Sequence, residues 1–470
     1  MGSSLNWSLI TLLVLFLSAC STNKSNDFTE KALSTSENLV DKHPLWESFE
    51  DENTLHNGTA LKLTDLIDLP ELIPLIQYAH TNNPNILQDA LSVEIQSENV
   101  KTNQKNSQPT LAANVNTNKS KGSDLTFTPS VTIRWEADLW QKLALEEKVS
   151  VSLYQQNLAS LKAAQNSLSA KIIKNWLQQV YQQRIIDINT QRVDLLEKNA
   201  GLVLKQFKNG LGSLEDKNTA QTASEKAKST LLNDKENLAI TQRTLNLYLG
   251  LTDSQSNKPA SLISKQYPEV ISPLSVFGVQ NLQGRPDLRA AFISIKINEL
   301  TTDIAYKALL PSFSLQASLT NSSRSLRDAL FTSPVWSLLG QLSAPLFQQG
   351  QLKSNIKIAE LKTAQAYQNY KEALSNALFE VENAVSLEKT LEGRQLSIQN
   401  ALNSSRKSLQ QYQKKYRSGL VDLSDLINAQ QNTFNLEAEL ESLLLLRLSN
   451  RIDLGLALGL GSPTVFGETK

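Results

Sequence analysis

The 470-residue chain repeats itself, and any fold proposed for it must contain the same unit twice. Asn83-Pro84-Asn85-Ile86 returns 202 positions later as Arg285-Pro286-Asp287-Leu288, and Pro109 returns as Pro311 at the same offset. Ala137-Asp138-Leu139-Trp140 matches Ala344-Pro345-Leu346-Phe347 at an offset of 207, and Phe207-Lys208-Asn209-Gly210 matches Tyr416-Arg417-Ser418-Gly419 at 209. Leu249-Gly250-Leu251 and Leu458-Gly459-Leu460 also lie 209 apart. Anchors in one order, with an offset that grows slowly, imply two copies of a unit of about 170 residues.

Each copy holds two periodicities. From Ala137 to Ala200 there is neither Gly nor Pro, and Val149, Leu153, Leu158, Leu161, Leu168, Ile172, Trp176 and Val180 recur at helical spacing. Continued to Lys208, this is a helix of roughly 108 Å with a narrow apolar seam. Gly210 and Gly212 interrupt it, and Leu214 to Leu249 resumes the pattern, which predicts a helical hairpin with a glycine turn at its tip. The second copy repeats the arrangement over Gln351 to Ser418 and Leu423 to Leu458, with Gly393 as a weak point in the long helix.

The other periodicity is alternation. Leu111, Ala113 and Val115 alternate with polar or small neighbours, as do Phe127, Val131, Ile133 and Trp135. Phe313, Leu315, Ala317 and Leu319 repeat the pattern, followed by Trp336, Leu338, Gly340 and Leu342. Four half-buried strands are expected, each near the roughly 9 to 11 residues that cross a bilayer when tilted. Lys119 to Leu125 and Asn321 to Ser333 read as polar connecting loops. Four strands cannot close a transmembrane barrel, because the smallest barrels use about eight and an open edge in lipid leaves backbone groups unpaired. The strands are therefore shared between chains, eight in a dimer or twelve in a trimer, or they form a small soluble sheet in a coiled-coil protein. Trp135, Trp140 and Trp336 favour membrane interfaces.

Composition removes several function classes. Forty-six basic residues balance 46 acidic ones, so a nucleic-acid partner, which would favour a basic stripe or patch, gains no support. The three histidines, His43, His56 and His80, are scattered through the N-terminal fifth, and no catalytic or metal-ligating constellation accompanies them. No cofactor, metal site or enzymatic activity is expected. Leu9 to Leu17 is an apolar run of signal-peptide length, ending in Leu17-Ser18-Ala19-Cys20, and Cys20 is the only cysteine. That sequence resembles the bacterial lipobox and implies lipidation of Cys20, although Met1 to Trp7 lacks the usual Lys or Arg. Ser21 follows in place of Asp, which in such lipoproteins implies sorting to the outer membrane. Ser21 to Asn38 is rich in Ser, Thr and Asn and reads as a tether.

Across Trp46 to Gly461 the chain resembles the outer membrane efflux protein family, the TolC-like channels, and within it the lipoprotein branch of OprM-type and NodT-type proteins. The resemblance is carried by the lipobox, by Leu75-Ile76-Gln77-Tyr78-Ala79 before Asn83-Pro84-Asn85-Ile86, and by Pro109 and Pro311 ahead of the strand pairs. Its strongest motif runs from Tyr416-Arg417-Ser418-Gly419 through Asp422-Leu423-Ser424-Asp425 to Asn428-Ala429-Gln430. It implies a mixed α and β membrane protein: long α-helical hairpins forming a periplasmic tunnel, continuous with a transmembrane β-barrel shared between three chains.

The expected organisation is a signal peptide (1–19), a lipidated tether (20–43), an N-terminal equatorial segment (44–82), a first repeat (83–251), an equatorial linker (252–283), a second repeat (284–460) and a tail (461–470). The implied function is a passive outer-membrane exit duct for small molecules, a homotrimer working with a periplasmic adaptor and an inner-membrane pump. A type I-like protein secretion duct and a non-conducting periplasmic scaffold remain alternatives. By the same resemblance, Asp422 and Asp425 stand at a periplasmic gate, with Asn428 where another acid is often found and with Tyr416 and Arg417 as candidate tethers. Acids in a first helical turn also complement the helix dipole, so a purely structural role competes. Phe207, Gly210, Gly212, Tyr416 and Gly419 at the hairpin tips are the expected adaptor-docking positions.

Overall fold

The computed structural model describes residues 27–40, 63, 72–251, 267–268, 285–345 and 347–461. The signal segment, Cys20, His43, Trp46, His56 and nearly all of the 252–283 linker lie outside the described residues. The elements are α1 (Phe28–Val40), α2 (Ile73–Asn82), α3 (Pro84–Asn106), β1 (Thr110–Asn118), β2 (Thr126–Ala137), α4 (Lys142–Lys208) and α5 (Leu214–Tyr248). After them come α6 (Pro286–Lys307), β3 (Ser312–Thr320), α7 (Leu326–Phe331), β4 (Val335–Ser343), α8 (Gln349–Arg417) and α9 (Leu423–Ala457). From α3 to α5 and from α6 to α9 the order is the same, save for α7. The chain divides into two compact units, one of Met1–Leu39, Ile95–Gln156 and Ala291–Lys371, the other of Val40–Glu94, Asn157–Ala290 and Glu372–Lys470.

The first unit contains one antiparallel sheet in the order β1-β2-β3-β4. Its register lines up the apolar positions of all four strands. Leu111, Ile133, Ala317 and Leu338 form one row, and Ala113, Val131, Leu319 and Trp336 the next. Trp135, Leu315 and Gly340 continue that face, as do Ala137, Phe313 and Leu342. The opposite face carries Asn114, Ser130, Thr320 and Val335 in one row, Ala112, Thr132, Ser318 and Ser337 in another, and Thr110, Arg134, Gln316 and Leu339 in a third, so it is mostly polar. A one-residue slip would exchange the faces, so this agreement reflects a strongly specified register.

Three departures from expectation have local causes. The long helix begins at Lys142, not Ala137, because Ala137 still pairs with Phe313 in the sheet. Asp138 accepts from Leu143 and Ala144 N–H at 3.1 and 3.0 Å, satisfying two free donors of the helix start. The tether reading fails over Phe28–Val40, which is helical: Ala32 is fully buried, Phe28 lies 5.5 Å from the Tyr367 ring, and Thr29 N–H donates to Glu299 Oε1 at 2.9 Å. Those few contacts hold a segment whose composition is otherwise polar. The loop from Asn321 to Ser333 encloses α7, and Asn321 Nδ2 binds Ala329 and Thr332 to close it.

The second unit is built of helical hairpins. Ile172, Ile173, Trp176, Leu177 and Val180 of α4 are buried, whereas Leu158, expected on the seam, is exposed. Helix α8 runs unbroken through Gly393. The duplication is also visible in how the hairpins are tied. Asn83 caps α3, accepting from Asn85 and Ile86 N–H at 3.0 and 3.3 Å, with Pro84 in the first helical position. Its Nδ2 donates to Tyr248 O at 2.9 Å; Arg285, before Pro286, donates to Ala457 O at the same distance. Tyr248 and Ala457 are equivalent, each followed two residues later by a glycine of positive φ, Gly250 at 74° and Gly459 at 77°. Asn and Arg thus make the same tie, from the start of one helix to the end of another, with different chemistry.

Candidate functional site

Two places carry the expected function, the hairpin tips and the sheet. At the tips the two repeats build the same turn. Gly210 and Gly419 have φ of 72° and 70°, and Leu211 and Leu420 N–H donate back to Gln206 O and Lys415 O, each at 2.9 Å. This is the Schellman cap, which needs a residue tolerant of left-handed backbone. A Cβ on Gly212 would lie 3.2 Å from Phe207 N, a tight approach that the backbone could relieve only by shifting a few tenths of an ångström. Phe207 is partly exposed, with Lys217 Nζ 5.7 Å from its ring centre. Leu211 and Leu420 are strongly exposed, at 79% and 73%, and the repeated Gly-Leu pair is the sequence signal for them.

Just behind the tips, Val193, Leu196, Val203, Ala220 and Ala227 of the first hairpin pack with Leu423 and Ile427 of the second. Tyr416 packs against this cluster. Burial first, and then the neighbouring Asp216 carboxylate, raises the Tyr416 hydroxyl above its usual pKa. Asn199 donates to Gln430 Oε1 at 3.1 Å, a second tie between the hairpins. Leu423, Leu426, Ile427 and Gln430 point inward, while Asp422, Asp425 and Asn428, at three-residue steps, form an exposed strip on the start of α9. Asp422 occupies the N-cap position without a side-chain cap bond, and Asp425 lies in the first turn. Arg417 is exposed, and no ion pair joins it to Asp422 or Asp425 among the described residues. The structure therefore groups Tyr416 with the packing between hairpins and gives neither acid an ion-pair partner among the described residues.

The sheet supplies the second half. Its apolar face is exposed: Leu111 at 70%, Trp336 at 75% and Leu338 at 66%. Trp135 and Phe313 lie toward the helix-side end of that face, Trp336 and Phe127 toward the loop end, so aromatic residues flank an aliphatic band on both sides. Trp135 and Trp140 both donate their indole N–H to backbone at this end of the sheet, to Ser107 O at 3.0 Å and to Pro311 O at 2.6 Å. The outer edges of β1 and β4 have no partner strand among the described residues. No described helix is long and apolar enough to cross a membrane.

Comparison with known proteins agrees with this geometry. The family model described as outer membrane efflux protein matches twice, over residues 75–251 and 278–460. The chain is 24% identical over 408 residues to the probable outer membrane lipoprotein SilC of Salmonella typhimurium, covering 83% of this chain and 86% of that one. It is 26% identical over 316 residues to the cation efflux system protein CusC of Escherichia coli K12, covering 65% and 68%. A crystal structure of CusC superposes with a TM-score of 0.78 at 21% identity, covering 87% of this chain and 96% of that one. With both repeats matched and the TolC-like architecture in place, the chain belongs to the outer membrane efflux protein family, as an outer-membrane channel component of an efflux system.

Proposed function

We propose that three copies assemble into a single passive duct, each contributing four strands to a twelve-stranded barrel and two hairpins to a periplasmic tunnel. The observation that carries this reading is the sheet, apolar on one face and mostly polar on the other, with both edges unpaired among the described residues. Such a sheet in lipid must pair its edges, and pairing β4 of one copy with β1 of the next closes the ring. Membership of the outer membrane efflux protein family favours three copies over two.

Lipid on Cys20 adds a second anchor. At the tips, Leu211, Leu420 and Phe207, with Gly210, Gly212 and Gly419 keeping the turns tight, offer the surface for a helical periplasmic adaptor, and an inner-membrane pump supplies the energy. Asp422 and Asp425, brought together three times over, form an acidic ring favouring cations at the tunnel end. Met1 and Cys20 are the only sulfur-bearing residues, so nothing after Cys20 offers the thiolate or thioether ligands that soft cations select. The wall is suited to passing small molecules without binding them.

Two measurements test the reading. Native mass measurement of the detergent-solubilised complex should give three chains, and planar bilayers should show discrete conductance steps. A monomer or dimer would refute the barrel, and a trimer without conductance would leave only the scaffold.

A further inference from the structure

The polar face of the sheet has a charge pattern that a duct does not require. Within the four strands only Arg134 and Glu136 are charged. They stand two residues apart in β2, so both belong to the polar face, and both are exposed. Register puts them at the helix-side end, Arg134 opposite Thr110 and Gln316, Glu136 opposite Ser314. Arg134 Nε donates to Gln316 Oε1 at 3.0 Å, which holds the guanidinium along the wall. The remaining positions of this face are Ser, Thr, Asn and Gln with a few small or aliphatic residues, all neutral.

We propose that Arg134 and Glu136 form a charge-balanced belt at the helix-side mouth of the barrel, which makes that mouth indifferent to the charge of its cargo. The proposal rests on the trimeric duct described above. Two residues along a strand span about 6.8 Å, less than the Debye length of about 8 Å at physiological ionic strength. Within one chain the two charges therefore compensate each other. Equivalent residues of adjacent chains are four strands apart, about 19 Å along the wall. An uncompensated charge would thus act around the whole ring only in dilute salt, where the Debye length reaches about 30 Å at 0.01 M. Removing one partner leaves a ring of a single sign, the arrangement by which pores select ions.

The test is the reversal potential of the full-length protein in planar bilayers, in KCl gradients centred near 10 mM and near 1 M. In dilute salt Glu136→Gln should lower the potassium-to-chloride permeability ratio by about twofold or more, and Arg134→Gln should raise it similarly. The double variant should return to the wild-type ratio, and at 1 M all four proteins should agree. Arg134→Lys and Glu136→Asp, which keep the charges, should match wild type throughout. Conducting single variants with unchanged ratios, or a double variant that fails to restore the ratio, would overturn the belt alone. A wild-type protein that does not conduct would overturn the duct and the belt with it.

Discussion

Gly250→Ala and Gly210→Ala place the same methyl group on nearly the same backbone, φ of 74° and 72°, in very different surroundings. An L-residue in the left-handed region costs roughly 1 to 2 kcal/mol, and for Gly210 that is the whole effect, since nothing lies within 4 Å of its added Cβ. At Gly250 the Cβ would come 2.3 Å from Asn82 O and 2.9 Å from Asn82 C, both backbone atoms that no rotamer change can remove. Relief requires the end of α2 to move, and Asn83 moves with it. That loosens the 2.9 Å bond to Tyr248 O, worth about 1 kcal/mol, and the cap of α3, worth about another 1 kcal/mol. Gly250→Ala should therefore cost about 3 to 4 kcal/mol, some 2 kcal/mol more than Gly210→Ala. Urea unfolding of the detergent-solubilised protein, followed by far-ultraviolet circular dichroism, reads the difference as a shift in midpoint at constant slope. Equal midpoints for the two variants would refute the argument, because they share the backbone strain and differ only in the space available.

Three further outcomes are expected. Burial holds His80 below its ordinary pKa of about 6.5, against a smaller opposing effect of its bond to Gln165 O; its neutral ring lies 3.0 Å from Ser169 Oγ. Its contribution is complete above that value and is lost as pH falls through the depressed folded value, so His80→Gln should flatten the acid side of a stability profile, and an unchanged profile would count against it. Glu388 pairs with Arg447 at 2.8 Å and Arg451 at 3.0 Å, all three side chains largely buried. Glu388→Ala should cost about 3 kcal/mol, measured as above, whereas Arg406→Ala, which breaks the exposed pair with Glu437, should cost less than about 1 kcal/mol; similar costs would show that burial is not decisive. At the tip, Asp425→Ala should weaken cation preference and divalent block in planar bilayers more than Asp422→Ala, and Tyr416→Phe with Arg417→Ser should raise conductance; if both acid variants keep wild-type selectivity, the acids serve only the start of α9.

Much of the architecture was legible before any coordinates. Proline, glycine and alternation are local properties, and they located the duplication, the hairpins and the four strands, because turns require Gly210 and Gly419 and a half-buried strand requires Leu111, Ala113 and Val115 on one side. The tip residues could be named for the same reason. What they touch could not be. Tyr416 sits beside Asp216 of the other hairpin, about 200 residues away in sequence, and only packing brings them together. The helix over Phe28–Val40 is not legible in its own composition because its stability comes from contacts with Tyr367 and Glu299. Likewise the sequence assigns each strand two faces, but only the pairing register aligns the four apolar faces and leaves Arg134 and Glu136 together on the other. Alternation is set residue by residue, whereas register is a property of the assembled sheet.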